Sequence, residues 1–536
     1  MSIIAEVENS TRNRILIAFL ISVAGLLLLF LRVPSYTNDF CDPDLAGISY
    51  GANDLVSGGT IYEHCVETKP PGAYFIFALC FKLFGQRLTP VYFAAALLHL
   101  LVLLALARLA YQAAGPVAAV ATAFFYALLA GNSPAAANCP NYESWMACFI
   151  AFGLCAISTI QETPRAWRMV LGGLMLGIAL LMKQQALLFL AVAALWLPAV
   201  RRGSFAQLAR EAAWLGFGFA LPLIVIASVW AAKGGLGTML TDLNPSRLGN
   251  YLGAGNLGAA GRMLGQRIAE HFPRAWPAWL SVLGGLVFFF ARPEGRRGFG
   301  RHLIYLAAAV VAIVAGSRFY KHYMIILVAP LSLCAGYAYG RLEELLAPRK
   351  WRFAVYAAAL ATMALAMRME LRESALMAQS WWNGEKMARY ELVTIFTYDD
   401  INLGNRERDE ALQWLGRYIE SQSRPSDGLY VWPYAPQIYF WAKRRAPTKH
   451  YMYFEVVTNL PYKFGGWHAT ETDQVRRSRH RLLTDLEAAP PKFIVFPQKE
   501  CGPFCPFPEL DAWVRAHYAI DPGAPETKLQ IFRRIE

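Results

Sequence analysis

Long apolar runs repeat along the first two-thirds of the chain and limit what it can fold into. About eleven of them approach or reach the roughly 20 residues that a helix needs to cross a bilayer. The runs are residues 14–32, 88–111, 116–132, 142–160, 167–182, 184–200, 212–232, 275–291, 302–316, 319–340 and 351–368. Only 17% of all residues are charged, against roughly 25% in soluble domains. The sequence therefore predicts a polytopic α-helical membrane protein with about 11–13 transmembrane helices.

The first run is predicted to stay in the mature protein. Residues 14–32 are longer than the apolar core of a secretory signal peptide. The bulky and polar segment RVPSYTNDF follows, where a cleavage site would need small residues. We therefore expect residues 14–32 to form the first transmembrane helix.

Basic residues concentrate in alternate loops between the runs. They are Arg12, Arg14, Arg165, Arg168, Arg201, Arg202, Arg210, Arg292, Arg296, Arg297, Arg301, Arg341, Arg349, Lys350 and Arg352. Loops enriched in this way face the cytoplasm, so the N-terminus is expected there and residues after 368 are expected outside. The net charge of +13 is explained by this bias, and no nucleic-acid partner is expected.

The polar end of the chain has a different character. Residues 1–368 are predicted to form a transmembrane domain, and residues 369–536 a separate α/β domain on the periplasmic side. Strand-like patterns occur at 428–433, at 492–498 and in LQIFRRI near the end, with helical periodicity at 405–422 and 470–488. About 165 residues suffice for one independent domain.

The first outer loop, residues 33–87, is predicted to contain two helices that lie along the membrane surface. Residues 44–56 carry apolar side chains at helical spacing, and residues 72–84 are apolar but too short to cross. A short tilted transmembrane helix is the alternative for 72–84. Counting it as a span would put the arginine-rich loops outside, so the interfacial interpretation is preferred.

Five cysteines fall in segments assigned to the outer side. They are Cys41, Cys65, Cys139, Cys501 and Cys505. In an oxidising compartment Cys501 could bridge to Cys505, and Cys41 to Cys65. Neither the spacing nor the count establishes these pairings.

Several acids stand at predicted membrane boundaries. The loop NDFCDPDL contains Asp39, Asp42 and Asp44, and Glu143 opens the apolar run after GNSPAAANCPNY. Each can be an ordinary solvated carboxylate or one favoured by a helix N-terminus. A carboxylate at the membrane edge costs free energy, so its presence there indicates a functional role. A D-x-D pair such as Asp42 and Asp44 can hold a divalent cation.

Cationic residues also lie at the predicted outer ends of apolar runs. This placement is opposite to the enrichment of basic residues in the cytoplasmic loops. These residues are Lys69 in TKPPG, Lys183 in LLMKQQALL, and Arg318, Lys321 and His322 in GSRFYKHYM. Each alone can be a snorkelling side chain. Together with the acids they suit a reaction in which a carboxylate accepts a proton and cations stabilise a departing phosphate.

The order of these motifs resembles that of the GT-C superfamily of membrane glycosyltransferases that use a polyprenyl-phosphate sugar. The resemblance is to the bacterial branch related to protein mannosyltransferases, the lipid A aminoarabinose transferase and rhizobial galacturonosyltransferases. The matching motifs are PDL at 43–45, SGG at 57–59, KPPG at 69–72, LFG at 83–85, NYE at 141–143, KQQ at 183–185, RFYKHYMIILVAP at 318–330 and GLYVWPYAPQIYFWAKRRAPT at 428–448. Leu45 departs from the family, which usually has Glu at that position.

The resemblance implies roles for particular residues. Asp44 would be the base that activates the acceptor hydroxyl, with Glu143 orienting the acceptor or sharing the proton. Lys69, Arg318 and His322, with Lys183 as a weaker candidate, would hold the donor phosphate. Secondary candidates are Asp42, Asp39, Tyr323 and Lys321. No cofactor is expected with certainty; a divalent cation, if needed, would bind Asp42 and Asp44.

The resemblance therefore implies an inverting glycosyltransferase in the bacterial inner membrane. It would move a sugar from a polyprenyl-phosphate donor to a lipid or glycan on the periplasmic face, such as lipid A. A protein acceptor, a pyrophosphate-linked donor, or a flippase or transporter without transferase activity are the alternatives. The absence of an inverted repeat in the sequence argues against a transporter.

Overall fold

A computed structural model shows a mostly helical protein with one small sheet. It describes residues 2–36, 40, 43–65, 67–131, 135–158, 166–200, 204–244, 257–291, 296–315, 319–346, 352–383, 409–432, 435–452, 456, 473–497, 507–525 and 529–535. The helices are α1 Ser2–Leu31, α2 Pro43–Val56, α3 Gly72–Phe84, α4 Thr89–Ala130, α5 Tyr142–Ser158, α6 Ala166–Met182, α7 Leu187–Val200, α8 Phe205–Ala232, α9 Leu236–Asp242, α10 Leu257–Ala291, α11 Arg296–Ala315, α12 Val328–Leu346, α13 Arg352–Ala366, α14 Arg368–Asn383, α15 Asp409–Ser421, α16 Gln437–Ala442, α17 Asp473–Ala488 and α18 Pro508–His517. The strands are β1 Leu429–Val431, β2 Phe493–Pro497, β3 Tyr518–Ile520 and β4 Leu529–Arg534.

The predicted polytopic helical fold is confirmed. Within the described residues, 6 helices are long and apolar enough to cross a membrane by themselves. Four shorter apolar helices, at Tyr142–Ser158, Ala166–Met182, Gln184–Trp196 and Tyr356–Ala366, coincide with four more of the predicted spans. The protein is therefore a multi-pass membrane protein.

Two of the predicted spans are joined into one kinked helix, α4. Ala114 and Gly115 have non-helical backbone angles, and Gly115 has φ +81°, a conformation that glycine adopts without strain. Pro116 follows and cannot donate the next helical hydrogen bond. The kink thus falls between the predicted spans 88–111 and 116–132.

The two helices predicted in the first outer loop are also present. α2 begins one residue before the predicted segment 44–56, and α3 covers the predicted segment 72–84. At 1.5 Å per residue α3 is about 20 Å long, short of the roughly 30 Å of a hydrocarbon core. The length of α3 therefore fits a helix that lies along the membrane.

The chain forms two compact units. The first contains residues 1–37, 89–226 and 260–393, and the second contains residues 38–88, 227–259 and 394–536. The division into residues 1–368 and 369–536 stays a prediction.

In the first unit, glycines allow the backbones of α6 and α8 to touch. A Cβ atom at Gly173 of α6 would collide with the carbonyl oxygen of Leu215, and one at Gly218 of α8 with that of Val170. Close approach through small residues is the usual way for membrane helices to associate, because lipid offers no hydrophobic drive between them.

In the second unit, the C-terminal residues form a four-stranded sheet in the order β1-β2-β4-β3. β1 and β2 are parallel, whereas β2–β4 and β3–β4 are antiparallel. The three predicted strands and the helices α15 and α17 are confirmed, and β3 is an addition. Tyr50 and Cys65 of the first outer loop belong to the same hydrophobic core as this sheet.

One of the two disulfides considered from the sequence is wrong. Cys65 is buried and free, so it does not pair with Cys41; the apolar core that surrounds it explains its burial as a thiol. Cys139 is disulfide-bonded, to a partner outside the described residues. The pairing of Cys501 with Cys505 also lies outside them.

A substitution at Gly218 tests the close approach of α6 and α8. Gly218→Ala should lower the Tm of the purified protein in detergent, because overpacking costs about 1–3 kcal/mol. The matched control is Gly216→Ala on the same helix, where a Cβ would meet nothing within 4 Å; its Tm should stay equal or rise, since Ala is the better helix former. Equal Tm values for both variants would contradict the packing.

Candidate active site

Three of the predicted site residues meet at the N-terminus of α5. Glu143 lies in the first turn of this helix and is 1% exposed. Its Oε1 atom forms an ion pair with Lys183 Nζ and lies 3.6 Å from His322 Nε2. Glu143, Lys183 and His322, which we call the Glu143 cluster, come from separate parts of the first unit.

The local backbone explains how each member is placed. Asn141 caps α5, because its side-chain oxygen accepts the N–H of Ser144 at 3.1 Å. Lys183 is extended (φ −158°, ψ 141°), so the chain breaks between α6 and the short 3₁₀ helix Gln184–Ala186. His322 belongs to the 3₁₀ helix Lys321–Leu327 that precedes α12.

Tyr323 completes the surroundings of the lysine. The ammonium of Lys183 lies 4.0 Å from the centre of the Tyr323 ring. The cation is thus held between a carboxylate and an aromatic face, both of which attract it. Tyr323, a secondary candidate from the sequence, therefore belongs to the same site.

The cluster leaves one strong acceptor available. Glu143 Oε2 is buried and has no hydrogen-bond partner among the described residues. A buried carboxylate oxygen without a partner is costly, so each such exception calls for an explanation, such as a bound water, an ion or a catalytic role. A ligand hydroxyl donating to Oε2 would satisfy it.

Arg32 fixes the loop before α5. This side chain is fully buried, and its guanidinium donates to the carbonyl oxygens of Ala130 at 3.2 Å, Ala137 at 3.0 Å and Asn138 at 3.3 Å. Those carbonyl groups belong to the end of α4 and to the loop that leads to Glu143. Sequence reasoning missed Arg32, because nothing in the sequence shows where the partners of a single arginine lie.

The second unit contains another carboxylate–lysine pair. Lys69 Nζ lies 3.3 Å from Glu67 Oε1, and the same carboxylate accepts the backbone N–H groups of Thr68 at 2.8 Å and Lys69 at 3.1 Å. The Tyr74 hydroxyl donates to the other oxygen of Glu67. Pro70 and Pro71 then lead into α3, so Lys69 is held just before the helix.

The surroundings of Glu67 keep it ionised. Burial raises the pKa of this carboxyl, but the Lys69 ammonium, the Tyr74 hydroxyl and the two backbone N–H groups outweigh burial and hold the pKa below its usual value. A depressed carboxyl pKa stabilises the fold above the unfolded pKa of about 4.3, and that contribution is lost as pH falls through the folded pKa. The Glu67–Lys69 pair is therefore intact at neutral pH.

The remaining predicted residues are placed as follows. Asp44 is half-buried in the first turn of α2, and Leu45, where the family usually has Glu, is fully buried. Lys321 is half-buried at the start of its 3₁₀ helix. The predicted residues Asp39, Asp42 and Arg318 lie outside the described residues.

No group of three or more His, Cys, Asp or Glu side chains has metal-site geometry in the described part of the chain. The two-carboxylate cation site suggested for Asp42 and Asp44 stays a prediction, since Asp42 is outside that part.

A double-mutant cycle tests the ion pair in the Glu143 cluster. Lys183→Met should lower the Tm strongly, because an uncompensated buried carboxylate costs about 3–5 kcal/mol. Adding Glu143→Gln should restore most of the loss, since the pair is then replaced by neutral groups. Simple addition of the two losses would contradict the pairing.

Comparisons with known proteins agree with this architecture. Residues 68–230 match the family model described as dolichyl-phosphate-mannose-protein mannosyltransferase. No curated protein matches the chain by sequence.

Solved structures match over almost the whole chain. The structure of ArnT from Cupriavidus metallidurans bound to undecaprenyl phosphate has a TM-score of 0.60 at 15% identity, over 97% of this chain and 98% of that one. The oligosaccharyltransferase AglB from Archaeoglobus fulgidus, in complex with an inhibitory peptide and a dolichol-phosphate, has a TM-score of 0.50 at 13% identity, over 90% of this chain and 69% of that one. At these identities the likeness shows the fold. The chain thus shares the fold of these membrane proteins, and the family match covers its segment 68–230.

Proposed function

We propose that the protein transfers one sugar from a polyprenyl phosphate, such as undecaprenyl or decaprenyl phosphate, to an envelope lipid or glycan such as lipid A. The transfer takes place on the periplasmic face of the bacterial inner membrane. The observation that carries this proposal is the Glu143 cluster: a buried carboxylate with one unsatisfied oxygen, held by a lysine and a histidine.

Different residues carry out different parts of a single inverting displacement. The acceptor oxygen bonds to the anomeric carbon of the sugar while the bond from that carbon to the phosphate oxygen breaks. The acceptor proton passes to a carboxylate, with Asp44 as the base and Glu143 orienting the hydroxyl. The bonding electron pair stays on the phosphate.

Cations stabilise the phosphate as it leaves. Lys69, Lys183, His322 and Arg318 supply this charge. Lys69 and Lys183 are each paired with a carboxylate, which fixes the ammonium before the donor arrives. Preorganised charge of this kind costs no rearrangement at the moment of reaction.

Two observations support the periplasmic side. The basic loops place the N-terminus in the cytoplasm, and Cys139, in a loop assigned to the outside, is disulfide-bonded. Disulfides persist in oxidising compartments such as the bacterial periplasm. The bound undecaprenyl phosphate of the ArnT structure supports a polyprenyl-phosphate donor.

A protein acceptor is the second candidate. It is favoured by the family model that matches residues 68–230, whose description names a protein mannosyltransferase. The lipid or glycan acceptor is preferred because the motif order resembles the branch that includes the lipid A aminoarabinose transferase.

Transfer by the purified protein tests the proposal. Sugars linked to undecaprenyl monophosphate and to undecaprenyl pyrophosphate are offered with lipid A or with a serine- and threonine-rich peptide, and products are read by mass spectrometry. We expect a glycosylated lipid from the monophosphate donor only. A reaction with the pyrophosphate donor alone would contradict the proposal, and so would the absence of a new glycosidic bond with every combination of donor and acceptor. A glycosylated peptide would favour the protein acceptor.

A paired substitution tests the role of Lys69. In Lys69→Met/Glu67→Gln both charges are removed, so no unpaired buried carboxylate remains and the Tm should change little. Binding of undecaprenyl phosphate, measured by its effect on Tm, should weaken at least about tenfold, since ion–ion contacts with phosphate are strong. The control is Lys82→Met in the last turn of α3, which should bind as the wild type does. Unchanged carrier binding in the double variant would make Lys69 purely structural.

A further inference from the structure

A cavity of about 730 Å³ lies within the second unit. Its lining residues are not among those given a catalytic or phosphate-binding role above. Its wall includes Tyr50 and Asp54 of α2, Glu63 and His64 of the first outer loop, and Arg445 and Lys449 of the segment after α16. This volume falls within the roughly 300–1,000 Å³ of small-molecule sites. The cavity is therefore large enough for a ligand with one or more sugar rings.

Asp54 organises the floor of the cavity. Its side chain is only 4% exposed, and it contacts His64 Nδ1 at 3.2 Å and Arg445 Nη1 at 3.2 Å. Gly59 leaves room for this carboxylate, because a Cβ there would collide with both Asp54 oxygens. The carboxylate thus fixes two polar side chains that are themselves half exposed.

The charges that line the cavity balance. Three carboxylates (Asp54, Glu63 and Asp485) face three cations (Arg445, Lys449 and Arg481). A phosphate site would show an excess of positive charge. Alternating donors and acceptors beside the tyrosine rings at 50 and 62 suit a neutral ligand with many hydroxyl groups, each of which both donates and accepts.

Tyr62 connects this cavity to Lys69. It lines the cavity, and its hydroxyl donates to the Lys69 carbonyl oxygen at 2.8 Å. Its backbone has φ +77°, a strained conformation for a bulky residue. Such strain persists where the surrounding structure imposes it, often at ligand sites.

We propose that this cavity binds a neutral sugar ring of the acceptor glycan, in direct contact with the loop that positions Lys69. The assignment to the acceptor rests on the proposed transferase function. Binding of a sugar by the cavity does not depend on it, so the two can fail separately.

Saturation-transfer NMR on the full-length protein in detergent tests the cavity directly. The probes are methyl glucoside, methyl galactoside and N-acetylglucosamine. We expect at least one to bind with a Kd in the millimolar range. Glu63→Ala or Lys449→Ala should raise that Kd at least about fivefold, because each removes hydrogen bonds to hydroxyl groups worth about 1 kcal/mol.

The matched control is Lys492→Ala, which removes a half-exposed lysine of the same unit that pairs with Asp427 outside the cavity. Its Kd should stay within twofold of the wild type. The proposal is overturned if no probe binds, if both cavity variants bind like the wild type, or if Lys492→Ala weakens binding equally.

The transfer assay separates the two proposals. If the enzyme is active, Lys449→Ala should raise the KM for the acceptor and leave kcat and the KM for the donor unchanged. Sugar binding without transfer would sink the transferase function and leave the cavity assignment standing. Transfer with an unchanged acceptor KM in both Glu63→Ala and Lys449→Ala would overturn the acceptor assignment alone.

Discussion

The Glu143 cluster depends on one constraint. An ionised carboxylate that is buried away from water among membrane helices needs partners that offset its desolvation. The desolvation of a buried charge costs several kcal/mol, and only close, well-oriented partners offset it. Glu143 has such partners in Lys183 and His322. Because a buried pair of this kind is weak evidence for stability alone, its presence is best explained by the chemistry proposed for it.

Three irregular stretches of backbone in the first unit lie next to members of the Glu143 cluster. The break at Lys183, the 3₁₀ helix Lys321–Leu327 and the positive φ of Phe319 (45°) all flank residues of the cluster. Non-helical backbone at membrane depth is tolerated only where protein buries it or where it lines a cavity. Close backbone contacts at Gly173 and Gly218 hold the helices α6 and α8 against each other.

Sequence patterns predicted the features that depend on composition and on neighbouring residues, namely the helices and several candidate site residues. Long apolar runs gave the helices, and the positions of Glu143, Lys183 and His322 at the ends of runs marked them as candidates that the structure then brings together. Patterns did not reveal Glu67, Asp54 or Arg32, because burial and distant partners give these residues their importance. Glu67 stood two residues before Lys69, a spacing that could have suggested the pair. The sequence left a Cys41–Cys65 bridge open, and the structure excludes it: Cys65 is a free thiol in a core built by residues far away in sequence.

The central proposal is that a lysine fixed by a carboxylate, Lys69 beside Glu67, forms a preorganised contact for the phosphate of a polyprenyl carrier. Cryo-electron microscopy of the full-length protein with undecaprenyl phosphate measures this most directly. The account predicts phosphate density within about 4 Å of Lys69 Nζ, the range of an ion pair. Carrier bound with its phosphate farther than about 4 Å from Lys69 Nζ would contradict the account.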